Sequence, residues 1–447
     1  MGQLISTLTG AIVIIAVTVG FFVGANALVD LAPRRFSLFA TLASAVIGAV
    51  VGVIVNSGGW FLGGLLWPLG GALLGALVGG LLWARHPPPA ERRWRIPDRS
   101  RPFIFLFPAL SFLGITLVVP TIRTIYLSFR SRRGDELKGV ENYRSVFRDE
   151  TLFSIKGAGD ILTSRLFLVG LVIALAALAI TVTRGITTRR GVDLSAPTPT
   201  VSLTTAAILV LLAAMGSLHG VIWNNIFWVV FVTGLSTIIG LAIAVLADRS
   251  RGESVAKALI FMPMAISFVG ASVIWRFVYA FTPASREQIG LLNATWVGAG
   301  GDPQAWVQQV PWNTMFLIVI MIWIQTGFAM VVLSSAIKGV PSEQLEAAKV
   351  DGASEVQIFW RVTVPHIRPT IAVVATTLVI TVLKVYDIVK VMTSGEFGTN
   401  VIANRMFDEV FINRNTGLGS ALAVLLFVAV VPLMVLNVRR VRRGEQA

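Results

Sequence analysis

The sequence predicts an all-α protein, a polytopic transmembrane helical bundle of about eleven spans, and three observations carry that reading. Of its 447 residues, 55% are hydrophobic and 13% charged, whereas soluble domains carry roughly 25% charged residues. Mean hydropathy is +0.79. Apolar runs of the roughly 20 residues that a helix needs to cross a bilayer recur along the chain. One soluble core of this size is a poor alternative, because long soluble chains split into domains.

The elements follow in order. Three apolar segments, at about 9–29, 36–55 and 60–83, open the chain. Glycines at four-residue spacing (Gly20 and Gly24, Gly48 and Gly52, then Gly71, Gly75 and Gly79) suit close helix packing in lipid. Residues 11–27 mimic a signal peptide as far as Ala25-Asn26-Ala27, yet Met1 to Gly10 lack the positive charge that a secretory leader needs. A retained first span is expected. The basic stretch 84–101 contains Pro87-Pro88-Pro89, which cannot continue a helix. It is read as a cytoplasmic linker between three extra N-terminal helices (1–83) and a second domain (102–447). That domain begins with a span at about 103–128 and a mixed-charge segment, Arg130 to Arg165. Further spans are expected at about 166–183 and 200–217, then at 221–247, 256–281, 313–336, 369–390 and 417–438.

The net charge of +14 invites a nucleic-acid reading, but Lys and Arg gather in short gaps between spans. Cytoplasmic loops of membrane proteins carry that bias, so lipid and not nucleic acid is the expected surroundings. Suppose the gap holding Glu346 is cytoplasmic and every span crosses once. Arg34-Arg35, the 84–101 linker, Arg184–Arg190, Asp248–Lys257, Lys338–Arg368 and the basic tail then share the inner side. Only Arg123–Arg165 is basic on the outside, and long loops translocate largely regardless of charge. The N-terminus is thereby placed outside and the C-terminus inside.

Chemistry is sparse. There are no cysteines, and His86, His219 and His366 are scattered, without metal-ligand spacing. No Ser/His/Asp set or carboxylate pair falls at membrane depth. No Gly-Lys-Thr or Gly-Lys-Ser loop is present to cradle phosphates. The expectation is a chain with no catalytic residue, no metal and no bound nucleotide.

The most informative segment lies between two spans. Ser342 is the expected N-cap of a short helix over Glu343 to Asp351. Gly352 permits a sharp reversal, and Ser354-Glu355-Val356-Gln357 reads as a capping box opening a second helix. Pro365 and Pro369 close the interlude and restart a span. A helix face made of Ala347 and Ala348 can be gripped closely in a cleft, with Glu346 and Asp351 as anchors for basic or amide groups.

Residues 346–365 resemble the EAA loop of bacterial ABC importer permeases: Glu-Ala-Ala, three residues, Gly352, nine residues, then Val362-Thr363-Val364-Pro365. Val362 and Val364 stand where Ile and Leu are commoner. Phe359-Trp360-Arg361, Gly139-Val140-Glu141-Asn142-Tyr143, Phe261-Met262-Pro263, Trp323 to Met330 and Leu383 to Asp387 resemble the sugar-importing maltose-type subfamily. The likeness covers about 102–150 and 218–440. It implies a type I ABC importer permease core of six helices, with coupling helices at about 342–366. Glu346, Ala347, Ala348, Asp351, Gly352 and Pro365 then form the ATPase-coupling set. The implied partners are a second homologous permease, an ABC ATPase dimer that uses ATP and Mg, and an extracytoplasmic sugar-binding protein. The implied place is the bacterial cell membrane. The spans at 1–83 and the pair at about 162–217 lie outside that core. Asn224-Asn225 stands where Asn-Thr is usual, and Ser394 to Gly398 replaces a Gly-Gly-Pro turn.

For the sugar path, aromatic faces and amides near mid-span are the candidates: Trp275, Tyr279, Trp323, Gln325, Thr326, Phe328, Tyr386 and Asp387. Gln325-Thr326-Gly327 is the best of them, since polar groups within a membrane usually face a cavity, and Gly327 is expected to loosen the helix. Packing, or a belt at the membrane interface, is the competing role for each aromatic. Lys384 and Asp387, three apart on one helix face, either neutralise each other or serve as a gate or hydroxyl ligand. An ion-coupled secondary sugar transporter is the rival function. It calls for buried acidic relays, and Asp387 is the one clear intramembrane acid in this reading.

Overall fold

The computed structural model describes residues 113–188, 197–248 and 252–444. The three spans expected within 1–83, the expected linker at 84–101 and the first part of the span expected at 103–128 fall outside them. The chain divides into two compact units, Met1–Thr124 and Ile125–Ala447, and all described residues except 113–124 belong to the second. Among the described residues all regular structure is helical, apart from two isolated bridges, Arg130 with Leu137 and Ser154 with His219.

A π-helical turn, Gly114–Val118, leads into α1 (Val119–Ser128). The loop behind it is tied down by the Gly139 to Tyr143 segment. Asn142 Nδ2 donates to the carbonyls of Ser128 and Arg130 at 2.8 and 2.7 Å, and Tyr143 donates to Ser128 Oγ at 2.7 Å. In the same loop the Ser131 hydroxyl donates to Asp135 and holds its carboxyl below the ordinary value. Two short helices follow, α2 (Glu141–Arg148) and α3 (Ala158–Thr163).

The expected inserted pair is α4 (Arg165–Thr188) and α5 (Pro197–Ser217), packed on each other as a hairpin. Leu168, Val172 and Leu175 of α4 stay exposed, as lipid-facing side chains do.

The centre is α6 (Val221–Asp248) lying parallel to α10 (Asn313–Lys338). At one end Trp228 and Phe231 pack with Leu317, Ile318 and Met321, all within 2% exposure. At the other, Ala244 meets Ala329, Met330 and Leu333 together with Val374 and Leu378 of α13 (Val364–Leu383). In lipid such helices gain by close van der Waals packing, because tails are as apolar as the side chains. This accounts for the small residues at the second end.

Between α6 and α10 the chain departs from expectation. The span read at 256–281 is not one helix. It is α7 (Glu253–Phe261), a 3-10 turn (Met262–Ala265) and α8 (Phe268–Val278), with the two halves bent by 102°. Pro263 lies in the 3-10 turn, Ile266 and Ser267 are extended, and Ser267 Oγ caps α8 by accepting from Gly270 N–H at 3.0 Å. The cap satisfies a donor that the break exposes. A short α9 (Leu291–Gly298) precedes α10.

After α10 come α11 (Ser342–Val350) and α12 (Glu355–Ile358), then a π-helical turn (Phe359–Thr363) that runs into α13. The expected span at 369–390 is therefore displaced: α13 starts earlier and ends at Leu383. Pro365 lies in its first turn and Pro369 inside it. The chain continues through α14 (Asp387–Met392), α15 (Ile402–Phe407) with a π turn to Ile412, and α16 (Thr416–Gly444). Among the described residues, six helices are long and apolar enough to cross a membrane, or seven if the bent pair counts as one.

Candidate coupling segment and cavity

Pro341 occupies the N-cap position of α11 at φ −56°, and Ser342 is the first helical residue without a side-chain cap. Proline's fixed φ sets the entry angle, so the expected Ser342 cap is replaced by a rigid one. Gly352 turns the chain at φ +75°, a conformation that costs a residue with a Cβ roughly 1–2 kcal/mol. An added Cβ there would meet nothing within 4 Å. The need is conformational, not steric. The capping box forms as read: Ser354 N–H donates to Gln357 Oε1 at 2.8 Å, and Gln357 N–H donates to Ser354 Oγ at 3.4 Å.

This segment stands clear of the bundle. No residue of α11 is buried. Glu346, Ala347, Asp351 and Gly352 are exposed, Ala348 is half-buried, and Val350 is 88% exposed. Its anchorage comes afterwards, from Ile358, Thr363 and Ile367, which are 5%, 7% and 1% exposed. Pro365 is half-buried beside them. Local turns therefore hold the knob, and its downstream end is set into the bundle.

A cavity of about 500 Å³ opens where α7 breaks from α8. It lies within the roughly 300–1,000 Å³ of small-molecule sites. Its walls include Ser267 and Phe268 from the break, Gln325 and Phe328 from α10, Thr381 from α13 and Asp387 at the start of α14. Gln325 is 7% exposed, and its amide makes no hydrogen bond among the described residues. Buried amides nearly always have a partner, so an unpaired one on a cavity wall keeps its bonding capacity free. The Thr381 hydroxyl donates to the Thr377 carbonyl at 2.9 Å, leaving its lone pairs to accept.

Gly327 does not loosen α10, which continues through it. A Cβ at Gly327 would lie 2.7 Å from the Ile260 carbonyl and 2.9 Å from Phe261 Cα. The glycine lets the α7 backbone rest directly on α10.

Of the eight residues proposed for the path, the cavity gathers Gln325, Phe328 and Asp387. Trp275 instead packs with Tyr279 and Trp323, ring centroids 5.1 and 5.8 Å apart. Tyr279 is 5% exposed and donates to the Phe316 carbonyl at 3.1 Å. Thr326 is buried, its hydroxyl bonded to the Ile322 carbonyl at 2.7 Å. The Tyr386 ring lies tilted against Phe407, centroids 5.6 Å apart. Lys384 and Asp387 do not share a helix: α13 ends before the first and α14 begins at the second. Lys390 pairs with Asp408 at 3.0 Å. The residues overlooked in sequence are Ser267, Phe268 and Thr381. Their one signal is Pro263 followed by a cap-competent Ser267 inside an apolar run.

At the opposite end from the knob, three asparagines grip the loop before α15. Asn224 Nδ2 donates to the carbonyls of Gly398 and Asn400 at 2.6 and 2.8 Å, and Asn313 Nδ2 to that of Phe397 at 2.6 Å. Asn225 accepts from Ile402 N–H at 2.7 Å and donates to the Leu383 carbonyl at 3.3 Å. Ser394 and Phe397 are held at φ +57° and +56° in that loop.

A helical membrane bundle with an exposed double-helix knob and a cavity at a broken helix defines a transport permease. Residues 236–443 match the family model of the binding-protein-dependent transport system inner membrane component. The chain belongs to this family, as its relatives also show. It is 43% identical over 343 residues to the osmoprotective compounds uptake permease protein GgtC of Synechocystis sp., covering 77% of this chain and 99% of that protein. It is 41% identical over 355 residues to the alpha-glucoside transport system permease protein AglF of Rhizobium meliloti, covering 79% and 86%. Among solved structures, a chain of a bacterial alginate ABC transporter, in complex with an alginate pentasaccharide-bound periplasmic protein, matches with TM-score 0.53 and 16% identity. That match covers 77% of this chain and 96% of the other, and it shows the fold alone. The protein is a multi-pass ABC transporter permease and a non-catalytic subunit.

Proposed function

We propose that this chain forms half of the translocation pathway of an ATP-driven, binding-protein-dependent sugar importer, with α-glucoside-type oligosaccharides as the substrate class. The observation that carries the reading is the knob at 342–358, exposed along α11 and joined at its downstream end to buried residues of the bundle. Glu346, Ala347, Ala348, Asp351 and Gly352 dock in a cleft of an ABC ATPase, and Pro365 sets the angle at which the knob joins α13. The ATPase dimer binds ATP and Mg, while this chain binds neither. A second permease completes the pathway, and an extracytoplasmic sugar-binding protein delivers the substrate. The knob faces the cytoplasm, with the C-terminus inside and the N-terminus outside, in a bacterial cytoplasmic membrane.

The cavity is the substrate station in this reading. Its unpaired Gln325 amide, the Thr381 hydroxyl and Asp387 bond sugar hydroxyls, and Phe328 and Phe268 offer apolar faces to ring CH groups. Broken helices at membrane depth are where transporters commonly place such sites. The alpha-glucoside transport for which the AglF relative is named supports the sugar class.

The test is uptake of labelled α-glucoside by vesicles holding the co-expressed complex. Uptake that requires ATP and survives collapse of the proton gradient is the expected result. Uptake abolished by that collapse, with no ATPase co-purifying, would favour the ion-coupled alternative. Gln325→Leu in the assembled complex is expected to cut uptake about tenfold or more, as losing one hydrogen bond to a substrate hydroxyl would. Unchanged uptake would remove the cavity from the path.

A further inference from the structure

A knot of charge lies where α10 leaves the bundle for α11. Lys257 Nζ donates to Asp248 Oδ1 at the end of α6, to Glu253 Oε1 of α7 at 2.6 Å and to Ser334 Oγ of α10. Ser334 in turn donates to Asp248 Oδ1 at 2.8 Å. Glu253 also holds Lys338, the last residue of α10. The Lys257 and Asp248 side chains are 18% and 13% exposed. One ammonium therefore ties three helices together, its three donors all engaged.

The knot sits between the two functional features. Only Gly339, Val340 and Pro341 separate Lys338 from α11, and Val340 is 7% exposed, seated in the bundle. In the other direction, α7 runs from Lys257 to the Ile260–Phe261 backbone resting on Gly327, and then to Met264, Ile266 and Ser267 on the cavity wall. Chain continuity and direct contacts thus link the knob to that wall.

The geometry points to Lys257 as a positioning residue that makes α6, α7 and the end of α10 move as one body, so that motion at the coupling segment reaches the cavity. The inference rests on the coupling reading above and adds a route to it. The test separates coupling from stability by reading both.

Lys257→Met would leave Asp248 poorly solvated and is open to simple misfolding. The double variant Lys257→Met with Asp248→Leu removes both charges, a replacement that in buried pairs is often neutral or stabilising. Both are expressed with the partner permease and ATPase and measured with the sugar-loaded binding protein. Read-outs are complex yield, thermal stability and the rise in ATP hydrolysis that loaded binding protein causes. The expected result is a double variant with wild-type stability whose stimulation has fallen at least about fivefold, the lower end of typical allosteric couplings. Stimulation that recovers together with stability in the double variant would overturn the proposal, as would full stimulation in Lys257→Met. Glu346→Lys is the control. If it abolishes stimulation while the Lys257 variants do not, the route fails and the coupling reading stands. If Glu346→Lys also retains full stimulation, the coupling reading itself fails.

Discussion

At the residue scale, the account depends on a few side chains whose alternatives have a stated cost. Gly352 is at φ +75° with open space around it. Gly352→Val should therefore disturb the turn by roughly 1–2 kcal/mol without touching the core. Sugar-stimulated ATP hydrolysis is expected to disappear while membrane insertion and permease yield stay unchanged, and Glu346→Lys is expected to do the same. Asn225 is a different case. It is 2% exposed and serves the Ile402 N–H and the Leu383 carbonyl at once. Asn225→Ala orphans two buried backbone groups at about 1–3 kcal/mol each, which thermal unfolding of the purified complex would register as a lower midpoint. Gly352 was readable from sequence because a turn glycine acts through its own backbone. The role of Asn225 was not, because its partners lie 158 and 177 positions away.

At the scale of elements, the two short helices at 342–358 were legible and the broken helix was not. Ser354 and Gln357 act on their immediate neighbours, so a local pattern sufficed. The run from Leu259 to Phe281 is apolar almost throughout, and hydrophobic periodicity cannot reveal a break whose exposed donor is satisfied by one serine. Ser267→Ala removes that cap and should cost about 1 kcal/mol, measurable as a small loss of thermal stability. Gly327→Val is expected to be more severe. Its Cβ would sit 2.7 Å from the Ile260 carbonyl, so α7 must lift off α10. Overpacking of this kind typically costs 1–3 kcal/mol, and uptake should fall with it because the cavity wall moves. The same limit explains the aromatic candidates. Trp275, Tyr279 and Trp323 fit a sugar path by residue type, but only the fold could show that Trp275 packs against the other two.

At the scale of the whole molecule, composition was enough for the fold class. Function came from one exposed segment joined to a bundle with a cavity. These features share a scaffold: α10 lines the cavity with Gln325 and Phe328 and ends at the knob. The chain contains no cysteine, so single cysteines can be placed in a background without competing thiols. The most direct test of the central claim, that this knob docks in an ATPase, is site-directed cross-linking in the co-expressed complex. Ala347→Cys is paired with single cysteines along the ATPase cleft, and Phe411→Cys, exposed in the α15 region, serves as the control. The account predicts an efficient cross-link from position 347 that changes yield between nucleotide-free and ATP-bound states, and none from position 411. Equal or absent cross-linking from the two positions, in a complex that still transports, would contradict it.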